Sequence, residues 1–231
     1  MTNSVLQDPY LRALYETAFK SITDNLPKEV NTLVEIGAGD GISNQFLPKV
    51  FLTDIAFHKN LNAICNAHEL PFKSASVDAL ALKDSLHHLP SVELFLNEAH
   101  RVLRIGGRVV VFDPYWGLLA KFVYRFLHQE DFNQNAISWN FEANSPWDSN
   151  QALSYLLLRR DRAQFEQLFP FFDICEHKVL IGPSFLLSGG VSRRTIISGS
   201  FLKVLLKLEL RQSKWFNSLC FFHVFSLTKT R

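Results

Sequence analysis

The chain has 231 residues, which fits one domain with elaborations and suffices to bury a core without disulfides. Its 24 Lys and Arg residues against 22 Asp and Glu residues leave a formal net charge of +2, which excludes a global field that would recruit nucleic acid or an anionic membrane. The three cysteines lack CxxC or Cys/His spacing, so we expect no disulfide framework, no zinc site and no bound metal.

The sequence also bears on location. Charged residues interrupt the N-terminus before any apolar stretch, and the longest runs without Asp, Glu, Lys or Arg, such as residues 215–228, are shorter than the roughly 20 apolar residues of a membrane span. We therefore expect neither a signal peptide nor a membrane span. Together with the cysteine usage this indicates a cytoplasmic protein.

The first part of the chain alternates helices and strands. Apolar spacing predicts a helix over residues 8–26, closed by Pro27, and a second helix that begins at an N-cap, Ser91, and ends at Gly106-Gly107. Apolar strands are predicted at 32–36, 50–53, around 63–65, at 77–82 and at 109–112. Strands that are apolar on both faces and alternate with helices indicate a parallel α/β sheet.

After Pro114 the regular pattern breaks for about forty residues and the composition changes. Residues 1–114 hold 9 of the Phe, Tyr and Trp residues, whereas residues 115–231 hold 21, including every Trp. Regular structure is predicted again as a helix around 159–169, a strand at 172–181 and a last strand at 219–228, with a helix-like stretch at 201–210 inside a second insertion. Residues 1–114 and residues 115–231 are therefore predicted to have different functions.

The predicted strand at 32–36 runs into Gly37-Ala38-Gly39-Asp40-Gly41. Glycines at the carboxyl end of a strand let the backbone approach a ligand closely. The dinucleotide fingerprint requires a glycine three positions after Gly39, where this chain has Ile42, so an NAD-dependent oxidoreductase is disfavoured.

The glycine turn and three later segments together resemble a known family. Residues 34–41, VEIGAGDG, are similar to the first motif of class I S-adenosylmethionine-dependent methyltransferases, and Asp54 stands where that family places an acidic residue on the ribose hydroxyls. Residues 66–72, NAHELPF, resemble the family's segment beside adenine. Residues 86–89 and 101–108 resemble the histidine segment and the glycine turn of its type 11, ubiquinone-biosynthesis-like branch.

The resemblance implies a Rossmann-like doubly wound sheet, mostly parallel with an antiparallel C-terminal strand, plus helical or irregular lid insertions. It implies a single methyltransferase domain over residues 1–231, with a cofactor-binding half at about 1–113 and substrate-covering insertions at about 114–157 and 182–217. It further implies methyl transfer from S-adenosylmethionine by in-line displacement, with S-adenosylhomocysteine as product. The alternative is a non-catalytic cofactor-binding or protein-interaction protein of the same fold.

By the same resemblance, cofactor contacts are predicted for residues in and beside these motifs. They are Glu35, Gly37, Ala38, Gly39, Asp40, Asp54, Ile55, Asn66, Ala67, His68 and Lys83. Asp40 has a second interpretation as the N-cap of a following helix. Asn66 replaces the family's usual Asp, and the short separation of Asp54 from Cys65 predicts that the second helix is shortened or missing.

Asp84, His87 and His88 follow the fourth predicted strand, where a cofactor methyl group would meet its acceptor. A carboxylate near an imidazole can accept a proton from the acceptor, so these three are the candidate catalytic residues. The alternative is structural, with the histidines packing the next turn and Asp84 paired with Lys83 on the surface.

The aromatic insertions predict the kind of acceptor. Aromatic walls interrupted by Asn, Gln and Ser favour a small apolar or amphipathic molecule, such as a lipid-linked or aromatic metabolite. Residues 201–210, with Lys203 and Lys207, could touch a membrane surface, although a buried lid helix is the favoured interpretation. Arg193-Arg194 are candidates to clamp an anionic group, and no nucleic-acid partner is expected because the chain lacks a basic stripe.

Overall fold

In the computed structural model, which describes residues 6–47, 49–127, 130–143, 145, 148–190, 197–212 and 214–231, seven strands form one sheet. The strands are β1 (Leu33–Ile36), β2 (Val50–Asp54), β3 (Ala63–Ile64), β4 (Val77–Lys83), β5 (Leu103–Pro114), β6 (Phe172–Leu180) and β7 (Phe222–Lys229). Their order is β3-β2-β1-β4-β5-β7-β6.

The first five strands pair in parallel, and β7 runs antiparallel between β5 and β6. All of β1 and nearly all of β4 is buried, which explains why these strands read as continuous apolar runs. The carboxyl ends of β1, β2, β4 and β5 meet at one edge of the sheet, and the start of β7 lies there too because Phe222 pairs with Pro114. The predicted fold class is confirmed.

The helices lie between and after these strands. They are α1 (Pro9–Thr23), α2 (Val92–Val102), α3 (Leu118–Phe126), α4 (Leu153–Tyr155), α5 (Arg162–Leu168), α6 (Pro183–Ser188) and α7 (Gly199–Glu209). A π-helical turn at Leu156–Arg160 links α4 to α5, and 3-10 turns occur at Ile42–Gln45, Leu86–His88 and Lys214–Leu219. Ser91 is the N-cap of α2, as predicted, since its side chain accepts a hydrogen bond from the Leu94 amide.

Two hydrophobic clusters cover the two faces of the sheet. On one face, Phe95 of α2 and Leu156 and Phe165 from the α4–α5 region pack with alternate side chains of the central strands. On the other face, Phe19 of α1 and Leu206 of α7 share a cluster with the remaining strand residues. The later aromatic residues thus contribute much of the core, including Phe165, which is 1% exposed.

Two local predictions were wrong. No α-helix follows the glycine turn, which leads only into the 3-10 turn at Ile42–Gln45. Phe46 at its end stacks on Phe19 of α1, with ring centroids 5.3 Å apart, so α1 packs beside this short connection. Gly106-Gly107 do not end α2, because the chain is already extended at Leu103 and the glycines lie in β5, where the β4–β5 register shifts.

Residues 114–157, where the regular apolar pattern breaks, contain α3, a helix whose position the sequence did not indicate. This helix buries Ala120, Val123 and Tyr124. It also exposes Leu118, Phe122 and Phe126, so apolar residues lie on both sides of the helix and obscure its period. The predicted shortening after β2 is correct, because residues 55–62 form no helix.

The stretch at 201–210 is helical, as predicted, and one side of the helix is buried. α7 buries Leu202 and Leu206 in the cluster shared with α1, while Phe201, Val204 and Leu208 remain exposed. The buried carboxylate of Glu209 at its end accepts hydrogen bonds from the amides of Gly182 and Ser184 and thereby ties α7 to the start of α6. None of the helices in the described ranges has the length and apolar character needed to cross a membrane.

The packing of α7 predicts a contrast between two leucines on the same helix. Leu206→Ala should lower the free energy of unfolding by about 2–5 kcal/mol, because Leu206 is buried against α1. Leu208→Ala, the matched control on the exposed side, should change it by less than about 0.5 kcal/mol. Urea unfolding of both variants measures the difference, and equal losses would contradict this placement of α7.

Candidate active site

The turn after β1 is shaped by its glycines. Gly37 has a φ of +73°, and a Cβ on it would lie 2.6 Å from the Cβ of Ser85, which follows β4. Ser85 in turn donates a hydrogen bond to the Ile36 carbonyl at 2.9 Å. Gly39 has a φ of +52°, and no described atom lies within 4 Å of the place its Cβ would take. The turn is therefore closed at Gly37 and open to a ligand at Gly39.

Asp54 connects this turn to the end of β2. Its Oδ2 accepts a hydrogen bond from the Gly39 amide at 2.8 Å, and its Oδ1 accepts one from the Ala56 amide at 2.9 Å. Each carboxylate oxygen has a second lone pair, so Asp54 keeps capacity to accept from hydroxyl groups. Ile55 beside it is 60% exposed. The predicted acidic residue and the open glycine thus lie side by side.

Glu35 is a buried acid near the end of β1. It is 3% exposed and accepts a hydrogen bond from the Ser43 hydroxyl. Burial raises the pKa of Glu35 to about 7, against the opposing effects of Ser43 and the nearby Lys83. Lys83, at the end of β4, lies 2.5 Å from Asp84 Oδ2 and over the ring of Tyr15. A cluster of charges therefore lies at the adjacent carboxyl ends of β1 and β4.

Asp40 does not cap a helix, so that prediction was wrong. The residue before the 3-10 turn is Gly41, and no side chain caps it. The Asp40 carboxylate instead lies 3.1 Å from His58 Nδ1. Its backbone carbonyl accepts a hydrogen bond from Asn60, so two contacts fix Asp40 against the turn after β2.

Residues 66–68 follow β3 at the same edge of the sheet. The Asn66 side-chain oxygen accepts a hydrogen bond from the His68 amide at 2.9 Å, which fixes a local turn. Ala67 is buried, and the buried Nε2 of His68 has no hydrogen-bond partner among the described residues. Desolvation lowers the pKa of His68, which favours the neutral ring.

Two of the segments identified in the sequence are joined to each other by Arg101. Its guanidinium donates to the carbonyls of Leu70 and Phe72 at 2.9 and 2.8 Å and pairs with Glu98. Glu98 also accepts a hydrogen bond from the Leu70 amide. The arginine thus holds the segment at 66–72 against α2, and its role in this structure is positional.

Asp84, His87 and His88 are not one carboxylate–imidazole unit. Asp84, with a φ of +51°, pairs with Lys83, although at a partly buried position rather than on the surface. His87 Nδ1 instead lies 2.8 Å from Oδ1 of the fully buried Asp113, whose other oxygen accepts from Ser154. His87 Nε2 is 3.5 Å from Glu130 Oε2. Asp113 and Glu130 are the acidic neighbours that the sequence analysis missed.

These carboxylates determine the charge of the two histidines. Burial disfavours the charged ring, but the Asp113 carboxylate and hydrogen bonds to Asp113 and Glu130 outweigh burial and raise the pKa of His87 to about 10. His88 responds in the opposite direction, since burial and the neighbouring His87 lower its pKa. The pair therefore combines a cationic ring and a neutral ring at neutral pH.

The structure brings most of the predicted cofactor residues together at the carboxyl ends of β1, β2 and β4, with 66–68 at the adjoining end of β3. Asp113 could have been suspected from sequence, because it ends an apolar strand just as Glu35 does, whereas nothing around Glu130 marks it. Arg193 and Arg194, the predicted anion clamp, lie outside the described residues.

Residues 34–111 match the family model for a methyltransferase domain. This match supports the resemblance to the class I methyltransferases of the type 11 branch. S-adenosylmethionine is the cofactor of this family. The matched region is about a third of the chain, and it contains every predicted cofactor and catalytic residue from Glu35 to His88.

Curated relatives match over part of their length. The ubiquinone/menaquinone biosynthesis C-methyltransferase UbiE of Rhizobium etli is 44% identical over 48 residues, which are 21% of this chain and 19% of that protein. The protein of the same name from Rhizobium rhizogenes is 36% identical over 84 residues, 36% of this chain and 31% of the relative. The chain thus aligns with about a fifth to a third of the length of these relatives.

Solved structures resemble nearly all of the chain. YcgJ of Bacillus subtilis has a TM-score of 0.54 and 15% identity, with 94% of this chain and 99% of that chain covered. Geranyl diphosphate C-methyltransferase from Streptomyces coelicolor, in complex with Mg²⁺, geranyl diphosphate and S-adenosylhomocysteine, has a TM-score of 0.52 and 14% identity, with 96% and 81% covered. These likenesses confirm the Rossmann-like fold.

The buried Glu35 predicts a pH-dependent stability. The folded chain keeps a proton on Glu35 up to about pH 7, whereas the unfolded chain loses it near 4.5, so this residue makes stability fall as pH rises through that window. In the neutral variant Glu35→Gln, this decrease in the free energy of unfolding, which amounts to up to about 3 kcal/mol, should be absent. Urea unfolding between pH 4.5 and 8 measures the difference between variant and parent.

The exposed Glu69 supplies the control for this experiment. Glu69→Gln should leave the pH profile of the parent unchanged. A Glu35→Gln profile parallel to that of the parent would show that Glu35 is ionised in the folded chain throughout this range.

Proposed function

We propose that this protein transfers the methyl group of S-adenosylmethionine to a small acceptor. The observation that carries the proposal is the coincidence of the family match with the geometry, since residues 34–111 include the open glycine turn, Asp54 and the charged cluster at one sheet edge. Ligands of open α/β sheets bind at this edge. The non-catalytic alternative is not favoured, because the relatives that match are methyltransferases.

The proposed cofactor lies across the turns after β1 and β2. Asp54 receives the ribose hydroxyls with its remaining lone pairs, and the backbone of Gly37, Ala38 and Gly39 approaches the cofactor where no Cβ intervenes. Ile55 offers an exposed apolar surface beside the ribose. This placement accounts for an acidic residue and a glycine turn that are already hydrogen-bonded to each other.

The remaining predicted contacts fall at the two ends of the cofactor. Ala67 and His68 serve the adenine side, where the Asn66 oxygen already holds the local turn and His68 Nε2 has no described partner. The amino-acid end of the cofactor is proposed to contact Glu35, Lys83 and Asp40. Glu35 and Lys83 lie close together at the ends of β1 and β4, where they could pair with the ammonium and the carboxylate of the cofactor.

The chemistry demands little of the protein beyond placement. The sulfonium cofactor carries an electrophilic methyl group, and holding an acceptor atom in line behind it at about 3 Å can contribute up to roughly 7–11 kcal/mol. A base is needed only where the acceptor must lose a proton. His88 Nδ1 lies 3.2 Å from the Asp148 carbonyl, which favours a proton on Nδ1 and a lone pair on Nε2. Asp84, His87 and His88 therefore form the proposed acceptor side.

We propose an apolar or amphipathic acceptor. Exposed apolar side chains are concentrated in the insertions after β5 and β6, which both leave the sheet at the carboxyl edge. They include Leu118, Phe122 and Phe126 on α3 and Phe201 and Val204 on α7. The names of similar proteins also mention ubiquinone/menaquinone biosynthesis and geranyl diphosphate. In this proposal, residues 114–157 and 182–217 cover the substrate. The enzyme is cytoplasmic and contacts a membrane only at its periphery.

Cofactor binding is tested by calorimetric titration with S-adenosylmethionine and with NAD. Asp54→Asn should weaken S-adenosylmethionine binding about 5- to 150-fold, since lost hydrogen bonds to a charged acceptor cost about 1–3 kcal/mol. Asp173→Asn, at an exposed position on β6, is the control and should bind as the parent does. Tighter binding of NAD, or equal affinity in both variants, would overturn the proposed site.

The acceptor is tested by incubating the protein with S-adenosylmethionine labelled on its methyl group and a fractionated cell extract. Label should enter the organic-solvent fraction of small molecules, because the proposed acceptor is apolar or amphipathic. Label only in protein or nucleic acid would contradict the proposal. In the same assay, Asp84→Ala or His88→Ala variants with full turnover would remove those residues from catalysis.

A further inference from the structure

A cluster of two imidazoles and one carboxylate lies beside the proposed acceptor side. One ligand-type atom from each of His87, His88 and Glu130 lies within 4.8 Å of the other two. His87 Nε2 is 3.5 Å and His88 Nε2 is 4.0 Å from the same oxygen, Glu130 Oε2. The segment that carries Glu130 is distant in sequence from the histidines, so only the fold creates this group.

Both imidazoles are held in the orientation that metal ligands require. His87 Nδ1 lies 2.8 Å from the buried Asp113 carboxylate, and His88 Nδ1 lies 3.2 Å from the Asp148 carbonyl. Each contact turns the corresponding Nε2 toward Glu130. A carboxylate or carbonyl on the far nitrogen is the usual support of a metal-binding histidine, because it fixes the tautomer and raises the basicity of the ligand atom.

The carboxylate is supported in the same way. Glu130 Oε2 accepts hydrogen bonds from Gln151 Nε2 at 2.7 Å and from Ser149 Oγ at 3.2 Å. All three potential ligands are thus positioned by further residues. A salt bridge between His87 and Glu130 alone would not require the second imidazole to face the same oxygen.

The dimensions and the access also suit an ion. Ligand atoms around a tetrahedral zinc ion lie about 3.3 Å apart, given metal–ligand distances of about 2.0–2.1 Å. The two distances from the histidines to Glu130, 3.5 and 4.0 Å, would therefore shorten by less than about 1 Å. His88 and Glu130 have side chains that are 22% and 32% exposed, and Glu130 also lines an open polar groove of about 450 Å³. An ion can therefore enter from solvent.

We propose that His87 Nε2, His88 Nε2 and Glu130 bind a divalent transition-metal ion of the zinc type. Two imidazoles with one carboxylate suit zinc and its neighbours, whereas magnesium and calcium prefer oxygen ligands throughout. Three protein ligands leave a coordination position open to water or another small ligand. The ion displaces the proton between His87 and Glu130, which is released to solvent, and it binds the lone pair of His88, so that His88 is then a ligand and not a base.

Calorimetric titration of the chelator-stripped full chain with Zn²⁺, without cofactor or acceptor, tests the site independently of methyl transfer. We expect one ion per chain in this cluster, and at least about tenfold weaker binding in His88→Ala and in the nearly isosteric Glu130→Gln. His100→Ala is the matched control, because the His100 ring contacts the Arg231 carbonyl away from the cluster. It should bind Zn²⁺ as the parent does.

A second measurement separates this site from surface binding. Cys175 Sγ lies 3.5 Å from His177 Nδ1 on β6 and is another pair that could collect zinc, so Cys175→Ser should leave the cluster's binding step intact. Co²⁺ should give visible absorption bands in the parent and in Cys175→Ser, and these bands should be absent in His88→Ala. Unchanged zinc affinity in both His88→Ala and Glu130→Gln, or a preference for Mg²⁺ over Zn²⁺, would overturn the proposal.

Discussion

The close approach of the turns after β1 and β4 is the constraint on which the rest of the site depends. Gly37 can adopt its positive φ and pass the Ser85 side chain only because it lacks a Cβ, and Ser85 is in turn tied to the Ile36 carbonyl. This contact fixes where the glycine turn leaves the sheet and presents Gly39 to Asp54. The β1–β4 register places the ends of the two strands together, so a substitution at Gly37 would disturb both turns at once.

Buried charge gives the site its second organising principle. Glu35 and Asp113 both end up inside the sheet near its carboxyl edge, and each is met by a polar partner, Ser43 or His87. Buried charged groups cost free energy unless they are paired, so Glu35 and Asp113 lie at positions that lower the stability of the fold. The cofactor side has an acid with a raised pKa near a lysine, and the acceptor side has a cationic histidine between two carboxylates. The two sides therefore differ in charge as well as in position.

The elements that depend on local sequence patterns could be predicted from the sequence. The strands, α1 and the Ser91 cap follow from apolar spacing and capping chemistry, and they are confirmed. Sequence reasoning failed where distant residues decide the outcome. The missing helix after Gly41 involves packing of α1 on Phe46, which no local pattern shows. Glu130 reaches His87 only through the fold, and Asp40 turned from a helix cap into a partner of His58 for the same reason.

The central claim is that the carboxyl ends of β1 and β2 hold the adenosyl cofactor. A crystal structure of the protein with S-adenosylhomocysteine tests it most directly. The ribose hydroxyls should lie within hydrogen-bond distance of the Asp54 carboxylate, and the cofactor should lie against the backbone of Gly39. A ligand bound elsewhere, for example in the groove of about 670 Å³ between α1 and the edge strand β6, would contradict it.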